Sequence, residues 1–273
     1  MAYVEWGDPA NPRVLLCVHG LSRQGRDFDT LAQDLASHYR VVCPDVAGRG
    51  KSDWLADPMG YAIPGYVADM VTLVARLGVE QVDWVGTSMG GLIGIGLAAL
   101  PNTPVRKLVL NDVGPTIGFE AIQRIGAYLG MPLFWPTVEE AATALWSVSQ
   151  SFGPHTREEW LALTRPQLVP DTRGGVSGFK SHYDPAIAVP VRAATPEIMA
   201  AGEAMLWAAY DRITAPTLLL RGAESDLLSH ETALAMTQRG PRARLHELPG
   251  VGHAPTLVAA DQRAAVRDFL LAP

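Results

Sequence analysis

The sequence has few of the features that mark secreted, membrane-spanning or nucleic-acid-binding proteins. It has two cysteines, Cys17 and Cys43, and both lie in apolar runs typical of buried strands. We interpret them as reduced, buried thiols rather than as a disulfide framework. No apolar run reaches the ~18 residues of a transmembrane helix, and residues 1–9 lack the basic start and apolar run of a signal peptide. A cytoplasmic location is therefore expected.

Positive charge is also scarce. Lys and Arg total 22 against 28 Asp and Glu, which gives a net charge of -6, and no basic run is present. This balance predicts no binding to nucleic acid, whose phosphates require a basic surface. No metal site is predicted either, because the adjacent residues His182, Tyr183 and Asp184 rarely converge on one ion in such an arrangement. The expected partner is a small-molecule substrate, without a cofactor.

Short apolar runs alternate with helical patterns along most of the chain. The run VLLCV at 14–18, for example, precedes Phe28, Leu31 and Leu35 at helical spacing. Continuous rather than alternating apolar runs are typical of strands covered on both faces. We therefore predict an α/β fold with a mostly parallel central sheet flanked by helices. The remaining runs lie at 40–44, 82–85, 105–110, 217–220 and 243–248.

This rhythm is interrupted between residues 115 and 210. No comparable strand run occurs there, and Gly and Pro residues separate helix-like pieces such as Val138–Ser149. We predict a helical insertion at 115–210, with 1–114 and 211–273 forming the core. Its tryptophans are candidates for lining a substrate pocket, although packing between insertion and sheet explains each of them equally well. These candidates are Trp135, Trp146 and Trp207.

A serine lies in a glycine-rich turn between a strand pattern and a helix pattern. Gly86-Thr87-Ser88-Met89-Gly90 follows the apolar run 82–85 and precedes a helix-like stretch. On such a turn the serine hydroxyl projects above the sheet, and the glycines let the strand and helix backbones approach closely. The helix N-terminus also favours negative charge developing nearby. The pattern predicts that Ser88 is a nucleophile.

A serine nucleophile needs a base to take its proton, and the base is usually a histidine held by a carboxylate. His253, in a glycine-flanked loop after the last predicted strand, is a candidate base. Asp226, in the loop after the strand at 217–220, is a candidate acid. Asp112, just after the strand that ends at Leu110, is the alternative acid, and Glu224 is a rival close to Asp226 in the sequence.

Five short motifs occur in the order and spacing of one superfamily. They are HGL at 19–21, GRGKSD at 48–53, GTSMGG at 86–91, RGAESD at 221–226 and GVGHAP at 250–255. Together they resemble the α/β-hydrolase superfamily, in which the acid follows the nucleophile and the histidine comes last, and this order favours Asp226 as the acid and His253 as the base. The resemblance implies a lid inserted after the sixth strand and an oxyanion hole formed by the backbone N–H groups of Leu21 and Met89. It also implies that His19 holds its loop. Many relatives have two strands before the HGL strand, and we expect the first to be missing here.

The resemblance also narrows the function. A serine at the turn separates this chain from haloalkane dehalogenases and epoxide hydrolases, which use aspartate there. The stretches HGLSRQGRDFD and Asn111–Pro115 resemble bacterial carboxylesterases that cleave aliphatic esters and polyester oligomers. We expect a carboxylic ester hydrolase that forms an acyl-enzyme.

Two alternative functions remain open at this point. One is a lactone or carbon–carbon bond (diketone) hydrolase with the same three residues, in which Arg23, Arg124 or Arg192 would bind a second carboxylate. The other is a hydrolase-fold ligand-binding module that turns over slowly. Turnover of short-chain esters would separate a true enzyme from such a module.

Overall fold

The computed structural model describes residues 1–273 and is built on a seven-stranded sheet. The strands of this sheet are β1 (Tyr3–Trp6), β2 (Val14–Val18), β3 (Arg40–Pro44), β4 (Val82–Thr87), β5 (Val105–Asn111), β8 (Thr217–Gly222) and β9 (Arg244–Leu248). Their spatial order is β1-β3-β2-β4-β5-β8-β9. All neighbours pair in parallel except β1, which is antiparallel to β3. The predicted mostly parallel sheet is confirmed.

Helices cover both faces of the sheet. The chain has ten helices, of which α4 to α8 belong to the segment between β5 and β8: α1 (Asp29–Leu35), α2 (Ile63–Leu77), α3 (Met89–Ala98), α4 (Phe119–Tyr128), α5 (Val138–Ser147), α6 (Arg157–Thr164), α7 (Ala188–Arg192), α8 (Pro196–Tyr210), α9 (His230–Gln238) and α10 (Ala260–Leu271). Successive strand residues point to opposite faces. Leu16 therefore joins an apolar cluster with α2, α3, α8 and α9, whereas Leu15 joins a second cluster with α1 and α10. Burial on both faces explains the continuous apolar runs.

The insertion between β5 and β8 differs from the predicted one in two ways. It follows the fifth strand of this chain rather than the sixth, because the single strand β1 precedes β2. It is also not purely helical. Besides α4–α8 it contains an antiparallel hairpin of β6 (Leu168–Arg173) and β7 (Val176–Ser181). The turn uses Gly174 and Gly175 at φ 56° and 81°. Both strands are largely solvent-accessible, so no continuous apolar run marks them in the sequence.

The end of this hairpin is attached to the loop after β3. The backbone N–H of Gly50 donates to His182 Nδ1 at 2.8 Å, and the Tyr61 hydroxyl donates to Asp184 Oδ2 at 2.5 Å. The backbone N–H of Asp184 donates to the Gly48 carbonyl at 2.8 Å. Burial lowers the pKa of His182 to about 3, so its neutral ring accepts the Gly50 N–H at Nδ1 and donates Nε2–H to the Ser22 carbonyl at 3.2 Å. His182 and Asp184 thus hold the insertion against the GRGKSD loop.

Cys17 and Cys43 lie on the neighbouring strands β2 and β3, and both are free and buried. The prediction of two reduced, buried thiols is confirmed. No helix combines the length and the apolar character needed to cross a bilayer. The cytoplasmic location stays a prediction.

Candidate active site

Ser88 stands at the tip of a strained turn between β4 and α3. Its φ is 52°, a conformation that non-glycine residues rarely adopt. The flanking glycines make this turn possible, since a Cβ on Gly86 would collide with the Gly90 carbonyl, and one on Gly90 with the Val18 carbonyl. The Ser88 N–H donates to the Asn111 carbonyl at 3.0 Å, which fastens the turn to β5. The hydroxyl is thereby presented at the carboxyl end of the sheet.

His253 links this hydroxyl to a buried carboxylate. Its Nε2 lies 3.0 Å from Ser88 Oγ, and its Nδ1 lies 2.7 Å from Asp112 Oδ2. An ionised carboxylate can only accept hydrogen bonds, so Nδ1 must carry the proton. The lone pair on Nε2 is then free to accept the Ser88 hydroxyl proton. The side chain of His253 is 19% exposed, so the site is shielded but reachable.

Asp112, not Asp226, is the carboxylate in contact with the histidine, and the favoured acid was therefore the wrong one. Asp112 is entirely buried. Besides the His253 ring it accepts the backbone N–H of Gly222 at 2.8 Å and the Ser225 hydroxyl at 2.7 Å. These three donors fix the carboxylate in one orientation.

Asp226 points away from the histidine. Its side chain is 54% exposed, and it forms an ion pair with Arg124 at 2.6 Å. Glu224, the rival considered beside it, is exposed as well. Asp112 can take the acid position because β5 and β8 are adjacent parallel strands whose carboxyl ends meet at one edge. Asp112 itself has a φ of 55°, a conformation that non-glycine residues rarely adopt.

The two predicted oxyanion-hole donors belong to segments beside Ser88, since Met89 follows it in the chain and a Cβ on Gly20 would lie 3.7 Å from Ser88 Cβ. The Leu21 N–H belongs to the Gly20–Leu21 peptide, whose carbonyl accepts His19 Nδ1–H at 2.7 Å and the Arg23 N–H at 3.2 Å. The other ring nitrogen of His19 accepts the Val46 N–H at 3.0 Å, which places the ring proton on Nδ1. Burial lowers the pKa of His19 to about 3. His19 therefore acts as a neutral group that orients the peptide bearing the Leu21 N–H, as expected.

The second predicted donor, the Met89 N–H, belongs to the first residue of α3. The first N–H groups of a helix have no partner inside it and carry partial positive charge. Among the loop and turn hydrogen bonds, none is donated by the N–H of Leu21 or Met89. Both groups are thus available to a ligand oxygen beside Ser88.

A cavity of about 380 Å³, counting its part open to solvent, adjoins these residues. Eight of its lining residues come from the core and two, Phe152 and Leu163, come from the insertion. The core residues are His19, Arg23, Asp27, Phe28, Thr87, Ala254, Pro255 and Thr256. Thr87 precedes Ser88 and Ala254 follows His253 in the chain, so the cavity lies beside the site, although neither Ser88 nor His253 is among its lining residues. Neither Phe152 nor Leu163 carried a sequence signal, since Phe152 ends a single 3-10 turn and Leu163 is one apolar residue near the end of the short helix α6.

None of the three tryptophans predicted to line a pocket lines this cavity. Trp146 packs against Trp160 with ring centroids 4.9 Å apart. Trp207 donates its indole N–H to Thr116 Oγ1 at 3.0 Å, and Trp135 is 7% exposed and joins the hairpin through its backbone. Trp146 and Trp135 therefore make contacts within the insertion, whereas Trp207 also packs against the core cluster, which is the alternative of packing between insertion and sheet.

Of the three arginines considered for a second carboxylate, one lines the cavity. Arg23 does so, and it forms a two-point ion pair with Asp27 at 2.6 and 2.7 Å. Arg192 donates to backbone carbonyls of the insertion, and Arg124 pairs with Asp226. The cavity therefore combines apolar walls with one neutralised ion pair.

Comparison with known proteins agrees with this geometry. The sequence model of the alpha/beta hydrolase family matches residues 15–269. A serine at the elbow between strand and helix, a histidine after the last strand and a buried acid after an inner strand are the parts that this fold arranges for hydrolysis. The chain belongs to the alpha/beta hydrolase family.

Individual relatives indicate the class of enzyme within this family. The chain is 58% identical over 271 residues to a 3-hydroxybutyrate-oligomer hydrolase of Cupriavidus necator, covering 98% of this chain and 92% of that protein. It is 26% identical over 257 residues to an esterase of Escherichia coli, covering 89% and 87%. A solved alpha/beta hydrolase from Novosphingobium aromaticivorans has a TM-score of 0.84 at 38% identity, covering 98% and 92%. These relatives confirm the predicted fold and the predicted enzyme class, a serine ester hydrolase.

Proposed function

We propose that this enzyme cleaves the ester bonds of short aliphatic hydroxy-acid oligomers, of the 3-hydroxybutyrate type, with Ser88, His253 and Asp112 as its catalytic triad. The observation that carries the proposal is the hydrogen-bonded series from Ser88 Oγ to His253 and on to Asp112, at 3.0 and 2.7 Å. The similarity to a 3-hydroxybutyrate-oligomer hydrolase over almost the whole chain supports the substrate class.

In the first half of the reaction Ser88 Oγ attacks the ester carbonyl while its proton passes to His253 Nε2. The carbonyl oxygen becomes an oxyanion and accepts hydrogen bonds from the N–H groups of Leu21 and Met89. Asp112 stabilises the imidazolium without taking its proton. Collapse of the intermediate breaks the carbon–oxygen bond, and His253 gives its proton to the leaving alkoxide. The products are a shortened hydroxyl-ended oligomer and an acyl-Ser88.

The second half repeats these steps with water. Water attacks the acyl carbon and loses a proton to His253, and the same two N–H groups hold the second oxyanion. The carbon–Oγ bond then breaks, the proton returns to Ser88, and a hydroxy acid is released. No redox change or cofactor enters this sequence of steps.

We also propose that residues 115–210 act as a lid. Phe152 and Leu163 of the insertion form part of the cavity wall, so the insertion shapes the space that receives the acyl chain. The insertion also contacts the histidine loop directly, since Gly252 N–H donates to the Ser151 carbonyl at 2.6 Å and Ser151 Oγ donates to the His253 carbonyl at 2.9 Å. The two side chains that the insertion contributes to the wall, Phe152 and Leu163, are apolar and suit an aliphatic acyl chain.

The test is a substrate panel on the purified enzyme. It contains the linear dimer and trimer of 3-hydroxybutyrate, p-nitrophenyl esters of increasing chain length, lactones and a ring-cleavage diketone. We expect turnover of the oligomers and the short esters. The released acid is measured by chromatography. Faster cleavage of the diketone or of lactones than of any linear ester would contradict the proposed substrate class.

Ser88→Ala is the matched control for the chemistry. We expect it to lose ester hydrolysis by about 10⁶-fold and to lose labelling by a fluorophosphonate, while circular dichroism and the thermal midpoint remain those of the wild type. If the fluorophosphonate labels each wild-type chain once but the enzyme stops after releasing one product molecule per chain, the protein is a binding module rather than a hydrolase. Activity retained by the alanine variant would refute the role of Ser88.

A further inference from the structure

Arg49, in the GRGKSD loop, is a buried cation without a counter-ion. Its side chain is 0% exposed, yet it takes part in none of the ion pairs of the chain. An arginine stays protonated in a protein, and a buried, unpaired charge destabilises the folded state strongly. The fold therefore keeps an unfavourable group at this position.

Two acidic groups of the surrounding loops are engaged elsewhere. The Asp45 carboxylate accepts the backbone N–H groups of Gly25 and Lys51, each at 2.9 Å. Asp184 accepts the Tyr61 hydroxyl. The positive charge of Arg49 is thus stabilised by neutral groups and is not cancelled by an ion pair.

The contacts of the guanidinium converge on the two residues of the oxyanion hole. Its Nε donates to the Leu21 carbonyl at 2.8 Å, and its Nη2 lies 3.6 Å from Met89 Sδ. Its Nη1 donates to the Ala47 carbonyl and to the Tyr66 hydroxyl, both at 2.7 Å. One rigid side chain therefore holds both Leu21 and Met89.

The loop around Arg49 is held as firmly as its side chain. Gly48 and Gly50 adopt φ values of 82° and 55° on either side of it. A Cβ on Gly48 would press into the Tyr61 ring, and one on Gly50 would collide with the Asp45 carboxylate. The backbone thus fixes the direction from which the guanidinium approaches the oxyanion hole.

We propose that Arg49 is a positioning residue for the oxyanion hole, holding Leu21 and Met89 while its uncompensated charge favours the oxyanion that forms between their N–H groups. This inference rests on the proposed ester hydrolysis at Ser88. The guanidinium contacts both donor residues, so it adds positive potential near the point where negative charge develops. Such potential acts strongly in a site from which water is excluded.

The proposal predicts a specific kinetic pattern. The charge on the carbonyl oxygen exists in the transition state and not in the bound ester, so removing Arg49 should lower kcat while KM changes little. A short-chain alkyl trifluoromethyl ketone forms a tetrahedral adduct with serine and carries the same oxyanion. Its inhibition constant should therefore rise by the same factor by which kcat/KM falls.

The experiment compares Arg49→Met and Arg49→Lys with Lys107→Met. Lys107 is a second buried cation, and it bonds carbonyls at the C-terminal end of α10, away from the site. We expect Arg49→Met to lose roughly tenfold to hundredfold in kcat, less than the ~10²–10³ caused by loss of a hole donor itself. Arg49→Lys should recover part of this loss. Lys107→Met should lower the thermal midpoint and leave kcat and ketone affinity unchanged.

Tyr66→Phe extends the test if Arg49→Met fails to fold. It removes one acceptor from the Arg49 guanidinium and keeps the ring, so a severalfold loss of kcat with a matching loss of ketone affinity is expected. A lower thermal midpoint without change in ketone affinity, in either variant, would overturn the proposal. Failure of the proposed function would look different, because the wild-type enzyme would then neither turn over esters nor bind the ketone.

Discussion

Exchanging the buried acid for its amide tests which aspartate serves the histidine. In Asp112→Asn the oxygen at the Oδ1 position can still accept the Gly222 N–H, while the amide nitrogen takes the Oδ2 position facing Ser225 and the His253 ring. The opposite orientation would set the amide N–H groups against the buried Gly222 N–H, which costs about 1–3 kcal/mol. Facing a donor, His253 must move its proton from Nδ1 to Nε2, and it can then no longer accept the Ser88 proton.

The loss of the correct tautomer sets the size of the effect. The corresponding change in a serine protease triad lowers kcat by about 10⁴, which is about 5.4 kcal/mol of transition-state free energy at 1.36 kcal/mol per tenfold. We expect a similar loss here, measured with a p-nitrophenyl ester at saturating substrate. The fold should survive, because asparagine tolerates the φ of 55° at this position better than most residues.

Asp226→Asn is the matched control. That side chain is 54% exposed and pairs with Arg124 on the surface, an interaction worth about 0–1 kcal/mol of stability. Its kcat should stay within about twofold of the wild type. The reasoning would be refuted if Asp226→Asn lost as much activity as Asp112→Asn, or if Asp112→Asn kept more than about a tenth of the wild-type kcat.

Two further predictions concern stability. Gly90→Ala should lower the free energy of unfolding by about 3 kcal/mol or more, because the new Cβ would meet the backbone carbonyl of Val18, which cannot move aside. A urea midpoint equal to that of the wild type would contradict the packing described at the turn. Burial holds the pKa of both His19 and His182 at about 3, below the value of about 6.5 in the unfolded chain. The unfolded state therefore takes up protons first, and the stability present above pH 6.5 should fall as the pH drops below it, by up to roughly 1.4 kcal/mol per pH unit for each histidine. Urea unfolding between pH 7 and 4.5 should show a shallower pH dependence in His182→Gln, and an unchanged slope would count against the burial argument.

The parts of the site that depend on local sequence could be predicted from it. Ser88 and its glycines form a turn whose geometry follows from the residues on either side, and His253 lies in a glycine-flanked loop after the last strand. The sheet was predictable for a related reason, since a strand buried on both faces must be apolar at every position.

The acid could not be predicted, because it is selected by tertiary structure. Asp112 and Asp226 both follow inner strands, β5 and β8, which end at the same edge of the sheet. Which carboxylate faces the histidine depends on a single backbone dihedral angle at Asp112 and on three donors drawn from distant segments. The hairpin of the insertion was not predicted from the sequence for another reason. Its strands are half-exposed, so their side chains follow no apolar pattern.

The attachment of that hairpin has a consequence for protein engineering. The hairpin is fastened to the core through His182 on Gly50, and through Asp184 on both Tyr61 and Gly48. A chimaera that exchanges residues 115–210 with those of a relative would therefore separate these partners, even if both parent sequences fold well. The exchangeable module is thus discontinuous in sequence, and a successful graft of a new specificity must carry the segment 48–61 along with the insertion.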